Sequence, residues 1–132
     1  MRSALAAAAL CLLLPACQER AQATEQRVVM TLEHSRFEPS ALTVSAGTTV
    51  RFVVRNTDPI DHELIVGSRS VQRKHETGTE RHHGAKPGEI SVPAGRTRVT
   101  TYRFEEPGVV LMGCHLPGHY DYGMRGRVRV QP

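Results

Sequence analysis

From Arg27 onward the chain is a succession of short β-branched and apolar runs, each broken within a few residues by Gly, Pro, Asn or Asp. In several of these runs apolar and polar residues alternate. A two-residue period sends every second side chain to the same face, the pattern of a strand with one buried and one wet surface. In 48–56, Val50, Phe52 and Val54 alternate with Arg51 and Arg55; in 125–130, Gly126, Val128 and Val130 alternate with Arg125, Arg127 and Arg129. Helical periodicity is nowhere sustained. The expected fold is all-β, a Greek-key β-sandwich or barrel, with strands at 27–32, 42–44, 48–56, 62–66, 89–92, 97–104, 109–113 and 125–130. Ser45-Ala46-Gly47 and Pro93-Ala94-Gly95 read as turns. Between residues 67 and 88 the alternation fails and the composition turns polar and charged. This stretch is expected to be one long excursion loop, with a helical turn around 71–76.

The N-terminus has a different character. One early arginine, Arg2, precedes an apolar stretch over 4–14 that is too short for a permanent membrane span and typical of an export signal. Ala21-Gln22-Ala23 fits a small-x-small cleavage site, which leaves 24–132 as a single domain released in soluble form to the periplasm or exterior. Leu14-Pro15-Ala16-Cys17 offers the alternative of a lipid anchor at Cys17. Cleavage after Ala23 removes two of 17 basic residues and one of 13 acidic ones, so the net charge falls from +4 to +3. The basic residues are nearly all arginine and scattered along strands, with no stripe or stacking aromatics for nucleic acid. No second long apolar segment follows, so no transmembrane segment is expected.

Of three cysteines, Cys11 and Cys17 lie in or at the end of the leader, so an exported domain keeps Cys114 alone. A solitary cysteine in an oxidising compartment is either reactive or protected by a metal. Its surroundings favour the metal. Cys114, His119 and Met124 stand at equal intervals on one short loop, a thiolate, an imidazole and a thioether. Copper moving between Cu(II) and Cu(I) is held by one thiolate, two imidazoles and a weak thioether. The second imidazole must come from elsewhere. His62, opening a strand-like run after Asn56-Thr57-Asp58-Pro59-Ile60-Asp61, is the leading candidate, and His34 is its substitute.

The Cys114-x4-His119-x4-Met124 pattern follows the apolar run 109–112 and precedes an alternating strand. With Pro117-Gly118 before the second ligand, Gly123 before the methionine and the Glu106-Pro107-Gly108 turn upstream, it resembles the ligand loop of the cupredoxins, the small blue copper proteins. Within that family it looks most like the rusticyanin and sulfocyanin type, and the likeness covers essentially residues 24–132. The resemblance implies one type 1 copper ion, with Cys114, His119 and Met124 as loop ligands and His62 as the upstream one. It also implies a non-enzymatic, monomeric electron carrier whose partner is a redox protein such as a cytochrome or copper enzyme. The same resemblance accommodates a copper-resistance protein that binds or oxidises excess copper.

Rival readings are weaker. Structural zinc sites usually bring cysteine pairs such as C-x2-C, which this chain lacks, and no methionine ligand. His115 beside Cys114 suggests a multicopper oxidase, but Gly113 precedes the cysteine and the chain has no His-x-His motif. His115 is therefore expected to be a partly exposed loop residue. The excursion carries His75, His82 and His83, which could hold a second, labile metal ion beside Glu76 and Glu80, although a solvated polar loop is the simpler expectation.

Overall fold

The computed structural model describes residues 24–132 except 79, 81 and 85. The expected leader 1–23, with Cys11 and Cys17, lies outside the described residues. Among the described residues, nine strands and one helix follow in order: β1 (Glu25–Glu33), β2 (Arg36–Glu38), β3 (Ala41–Ser45), β4 (Thr48–Asn56), β5 (His62–Gly67), α1 (Arg69–Glu76), β6 (Glu89–Val92), β7 (Thr97–Phe104), β8 (Gly108–Gly113) and β9 (Arg125–Gln131). They form two mixed sheets, one ordered β2-β1-β4-β7 and the other β3-β9-β8-β5-β6. The all-β sandwich expected from the alternation is the observed architecture.

The alternation works as the pleat requires. Along β4, Val50, Phe52 and Val54 are buried while Arg51 and Arg55 are exposed, and along β9 Val128 and Val130 are buried between exposed arginines. Phe37, Phe52 and Phe104 from the first sheet meet Leu64, Val66, Met112 and Val128 from the second in one continuous core. Burying each large apolar side chain contributes about 1.5–3 kcal/mol.

Register then places the site. β5 and β8 pair antiparallel, with Ile65 opposite Gly113, so the start of β5 and the end of β8 share one pole of the sandwich. His62 opens β5, Cys114 follows β8, and the 114–124 loop returns to β9 at the same pole.

Two features depart from the sequence reading. The excursion begins with a formed helix, α1, whose cap Ser68 Oγ accepts from Val71 N–H, and whose buried Gln72 donates from Nε2 to the carbonyls of Ile65 and Leu111. The second departure is β2, which has no counterpart in the expected strands. It pairs with β1 through a two-residue hairpin turn in which His34 and Ser35 have φ of 51° and 52°. Such turns demand positive φ at both central residues and normally select Asn-Gly. His-Ser carries no such signal.

Core packing gives a direct check on this arrangement. Phe52→Ala should cost about 3–5 kcal/mol, read as a lowered urea midpoint, because the surrounding β structure cannot collapse into the space. Arg51→Ala, on the wet face of the same strand, should change stability by less than about 0.5 kcal/mol.

Candidate metal centre

Three expected site residues meet at the pole. His62 Nδ1 lies 3.1 Å from His119 Nδ1, and Cys114 Sγ lies 3.4 Å from the same nitrogen. All three donor atoms fall within 4.8 Å of one another. Cys114 and His62 are buried, and the His119 ring is half-buried at the surface of the pole. Met124 is fully buried in the core cluster that contains Cys114.

Backbone bonds hold the loop in shape. Cys114 N–H donates to the Met124 carbonyl at 3.1 Å, which closes the loop at its base, and Met124 N–H donates to the His119 carbonyl at 2.9 Å. His119 N–H reaches the Leu116 carbonyl and Tyr122 N–H the Gly118 carbonyl, each at 3.0 Å. These tight turns need positive φ at Gly118 (81°) and Gly123 (101°), where a Cβ would be strained.

His62 is oriented by a residue that the sequence reading quoted without giving it a role. Asp58 Oδ2 lies 2.8 Å from His62 Nε2, while its two oxygens accept the backbone N–H groups of His34 and Ser35 at 2.7 and 2.8 Å. Burial works against the Asp58 charge, but Ser35 N–H, the His62 ring and His34 N–H together hold its carboxyl below the usual range. An ionised carboxylate can only accept, so the ring proton sits on Nε2 and the Nδ1 lone pair faces Cys114 and His119. His34, the substitute ligand, is exposed and contributes its backbone N–H to this clamp. A carboxylate four residues before a candidate histidine ligand is the sequence signal that could have revealed the arrangement.

The thiol has its own surroundings. Burial pushes Cys114 up to about 11, although backbone N–H groups of Leu116 and Glu63 donate toward its sulfur and favour the thiolate. Asn56 gives its N–H to the Arg96 carbonyl. Its side chain braces the segment before His62, donating to Ile60 and Val92 carbonyls and accepting from Asp58 N–H. Burial and the neighbouring His62 ring lower His119, with Asp58 opposing them. The protein therefore assembles one sulfur and two ring nitrogens that face each other, with the Cys114 thiol and the His119 ring both held toward their neutral forms. A soft or borderline cation satisfies all three at once.

His115 is partly exposed on its loop, as expected, yet it is firmly held. It is half-buried, bonded through Nε2 to Gln72 Oε1 at 2.7 Å, and stacked on Tyr120 with centroids 4.8 Å apart. Its backbone N–H donates to Glu63 Oε1 at 2.8 Å. Of the secondary candidates, His75 and His83 come together with Glu89, which the sequence reading left out. His82 is exposed and lies outside that group.

The cupredoxin-like domain model matches residues 4–78. The chain belongs to the cupredoxin-like family. It is 36% identical over 109 residues to the copper-resistant cuproprotein CopI of Rubrivivax gelatinosus, covering 80% of this chain but only 65% of that protein's length. A second copper-resistant cuproprotein CopI, from Pseudomonas aeruginosa, is 27% identical over 86% of this chain and 80% of its own. The solved auracyanin of Roseiflexus castenholzii shares the fold, with a TM-score of 0.66 at 21% identity over 83% of this chain and 99% of that one. The copper cofactor expected from the sequence agrees with this family and with a thiol and two imidazoles whose donor atoms converge. Among the described residues of this cupredoxin-like chain, no helix is long and apolar enough to cross a membrane.

The Asp58 clamp can be tested without metal. Asp58→Asn should destabilise the fold by about 1–3 kcal/mol in denaturant melts, because buried partners lose a charged acceptor. Ring nitrogen shifts in the NMR spectrum should show His62 losing its fixed Nε2–H tautomer.

Proposed function

We propose that this cupredoxin-like protein holds one type 1 copper ion through His62, Cys114, His119 and Met124, and uses it for copper tolerance in an exported compartment. The supporting observation is the convergence of Cys114 Sγ with His62 Nδ1 and His119 Nδ1. Met124, buried beside Cys114 in the core cluster, is the fourth donor in this reading. When bound, copper supplies a one-electron couple between Cu(II) and Cu(I). The residues supply the rest. Cys114 releases its proton to become a thiolate, Glu63 and Leu116 N–H groups stabilise that charge, and Asp58 keeps the His62 lone pair turned inward. Rigid strands on either side limit movement between the two oxidation states.

The tolerance role draws on the named function of the CopI relatives, proteins described as copper-resistant. A second reading, electron carriage to a cytochrome or copper enzyme, is favoured by the half-buried edge of His119. That edge sits on a loop whose Pro117 is exposed and whose Tyr122 is 76% exposed, an apolar surface suited to a transient redox partner. Under either reading the protein is a copper-binding redox protein rather than an enzyme with an organic substrate. Residues 24–132 form the working domain after removal of the leader 1–23.

Copper-loaded protein should absorb intensely in the visible through thiolate-to-Cu(II) charge transfer, and Cys114→Ser should abolish the band. A band that survives refutes the site. Expression of the chain in a copper-sensitive bacterium should raise the copper concentration that permits growth, and Cys114→Ser should not. Equal growth with both chains, together with rapid reduction of the copper form by a reduced c-type cytochrome, would favour the carrier.

Met124→Gln should lower the reduction potential while copper stays bound, because a harder donor favours Cu(II). An unchanged potential in voltammetry removes Met124 from the donor set.

A further inference from the structure

Beside the thiol pole, an open cleft is lined by Glu63, His75, Glu80, His83 and His115. Its polar groups come from several elements: α1 gives His75, β5 gives Glu63, the 77–88 segment gives Glu80 and His83 and the 114–124 loop gives His115, while Glu89 of β6 lies against His75 and His83. Each ring has one nitrogen committed to a fixed partner. His75 Nδ1 lies 2.9 Å from the Val71 carbonyl, which can only accept, so that nitrogen carries the proton. Its Nε2 then presents a lone pair to Glu89 Oε2 at 3.3 Å. His83 Nε2 lies 3.4 Å from Glu63 Oε2 and takes the proton there, which leaves Nδ1 as the free acceptor.

The opposed atoms do not satisfy one another. His83 Nδ1 is buried and has no hydrogen-bond partner among the described residues. Its neighbours are carboxylate oxygens of Glu80 and Glu89, each at 3.7 Å. With the rings neutral, lone pairs face lone pairs and negative oxygens. Lys86, largely exposed, reaches Glu89 only at 3.9 Å. Two donors bound at about 2.1 Å to one tetrahedral ion stand roughly 3.4 Å apart. His75, His83 and Glu89 each offer one donor atom within 4.8 Å of the others, with Glu89 Oε2 3.3 Å from His75 Nε2 and 3.7 Å from His83 Nδ1, close enough to close around one ion with small side-chain shifts.

We infer that His75, His83 and Glu89 form a second metal site, separate from the thiol-containing centre, for a divalent borderline cation of the Zn(II) or Cu(II) class, with Glu80 as an exposed fourth ligand. Two imidazoles and carboxylates without sulfur suit a divalent ion better than Cu(I). Glu80 is 59% exposed and sits at the mouth, so the ion can enter and leave. Glu63 joins the two centres. One of its oxygens faces His83, the other accepts His115 N–H, and its own N–H points to the Cys114 sulfur.

Titrating zinc chloride into copper-loaded protein by calorimetry tests this site while the visible band reports the other. One zinc equivalent should bind, Glu89→Gln and His83→Asn should each weaken it at least about tenfold, and both variants should keep the visible band, which shows that they fold. His82→Asn should leave the zinc affinity unchanged. A band without zinc uptake, or uptake indifferent to both substitutions, overturns the second site and leaves the first intact. Loss of zinc uptake on His82→Asn alone would also overturn the assignment. Zinc uptake without a visible band would overturn the copper centre and leave this site standing.

Discussion

The Asp58 carboxylate is the contact on which the pole depends, because it ties together parts of the chain that belong to different sheets. His34 and Ser35 turn between β1 and β2 in the first sheet, whereas His62 opens β5 in the second. Asp58 binds all three, two through backbone N–H and one through the ring. Left-handed backbone at a non-glycine residue costs about 1–3 kcal/mol and persists only where surrounding bonds impose it. Here the same carboxylate that imposes the turn also fixes the orientation of the donor ring. The strain in the hairpin and the presentation of Nδ1 are therefore one problem with one solution.

The donor loop depends on its strands in the same way. β8 and β9 pair until Gly113 meets Arg125, and the ladder hands over to the bond between Cys114 N–H and the Met124 carbonyl. The sulfur thus leaves the most rigid part of the second sheet, and the His119 carbonyl is tied to the start of the return path. Burial of Cys114 opposes an isolated thiolate, while two backbone donors and a cation reverse that preference. A buried cysteine of this kind is poor at free thiol chemistry and well placed as a metal donor.

How much of this could be read from the residues follows from how local each signal is. Alternation in β4 and β9 reports burial directly, so those strands were legible, and the closeness of Cys114 and His119 followed from their place on one loop. The approach of His62 to them was legible because a strand begins with it. The β1–β2 hairpin was not, since His34-Ser35 has no intrinsic liking for its turn and adopts it through Asp58, a residue more than twenty positions away. The excursion also hid its organisation. Its polar composition resembles that of a solvated loop, and only the tertiary approach of their side chains to Glu89 on β6 separates His75 and His83 from His82, which lies outside that group.

Those histidines share a design with the thiol pole that a composition count cannot reveal. In each ring one nitrogen is spoken for, His62 by Asp58, His83 by Glu63, His75 by the Val71 carbonyl and His115 by Gln72, so each tautomer is set by structure rather than by solvent. Fixing a tautomer removes the choice between donating and accepting, and the cost of a mismatched neighbour then falls on the pair. At the His75–His83 cluster the mismatch is acceptor against acceptor, whereas at the thiol pole His119 Nδ1 is within hydrogen-bond reach of both His62 Nδ1 and the Cys114 sulfur. Glu63 lies between them with both oxygens committed, so a positive charge arriving near His83 draws on the same carboxylate that anchors His115 N–H, one residue from the sulfur. Charge in the excursion and the surroundings of the Cys114 sulfur are thereby linked through a single side chain.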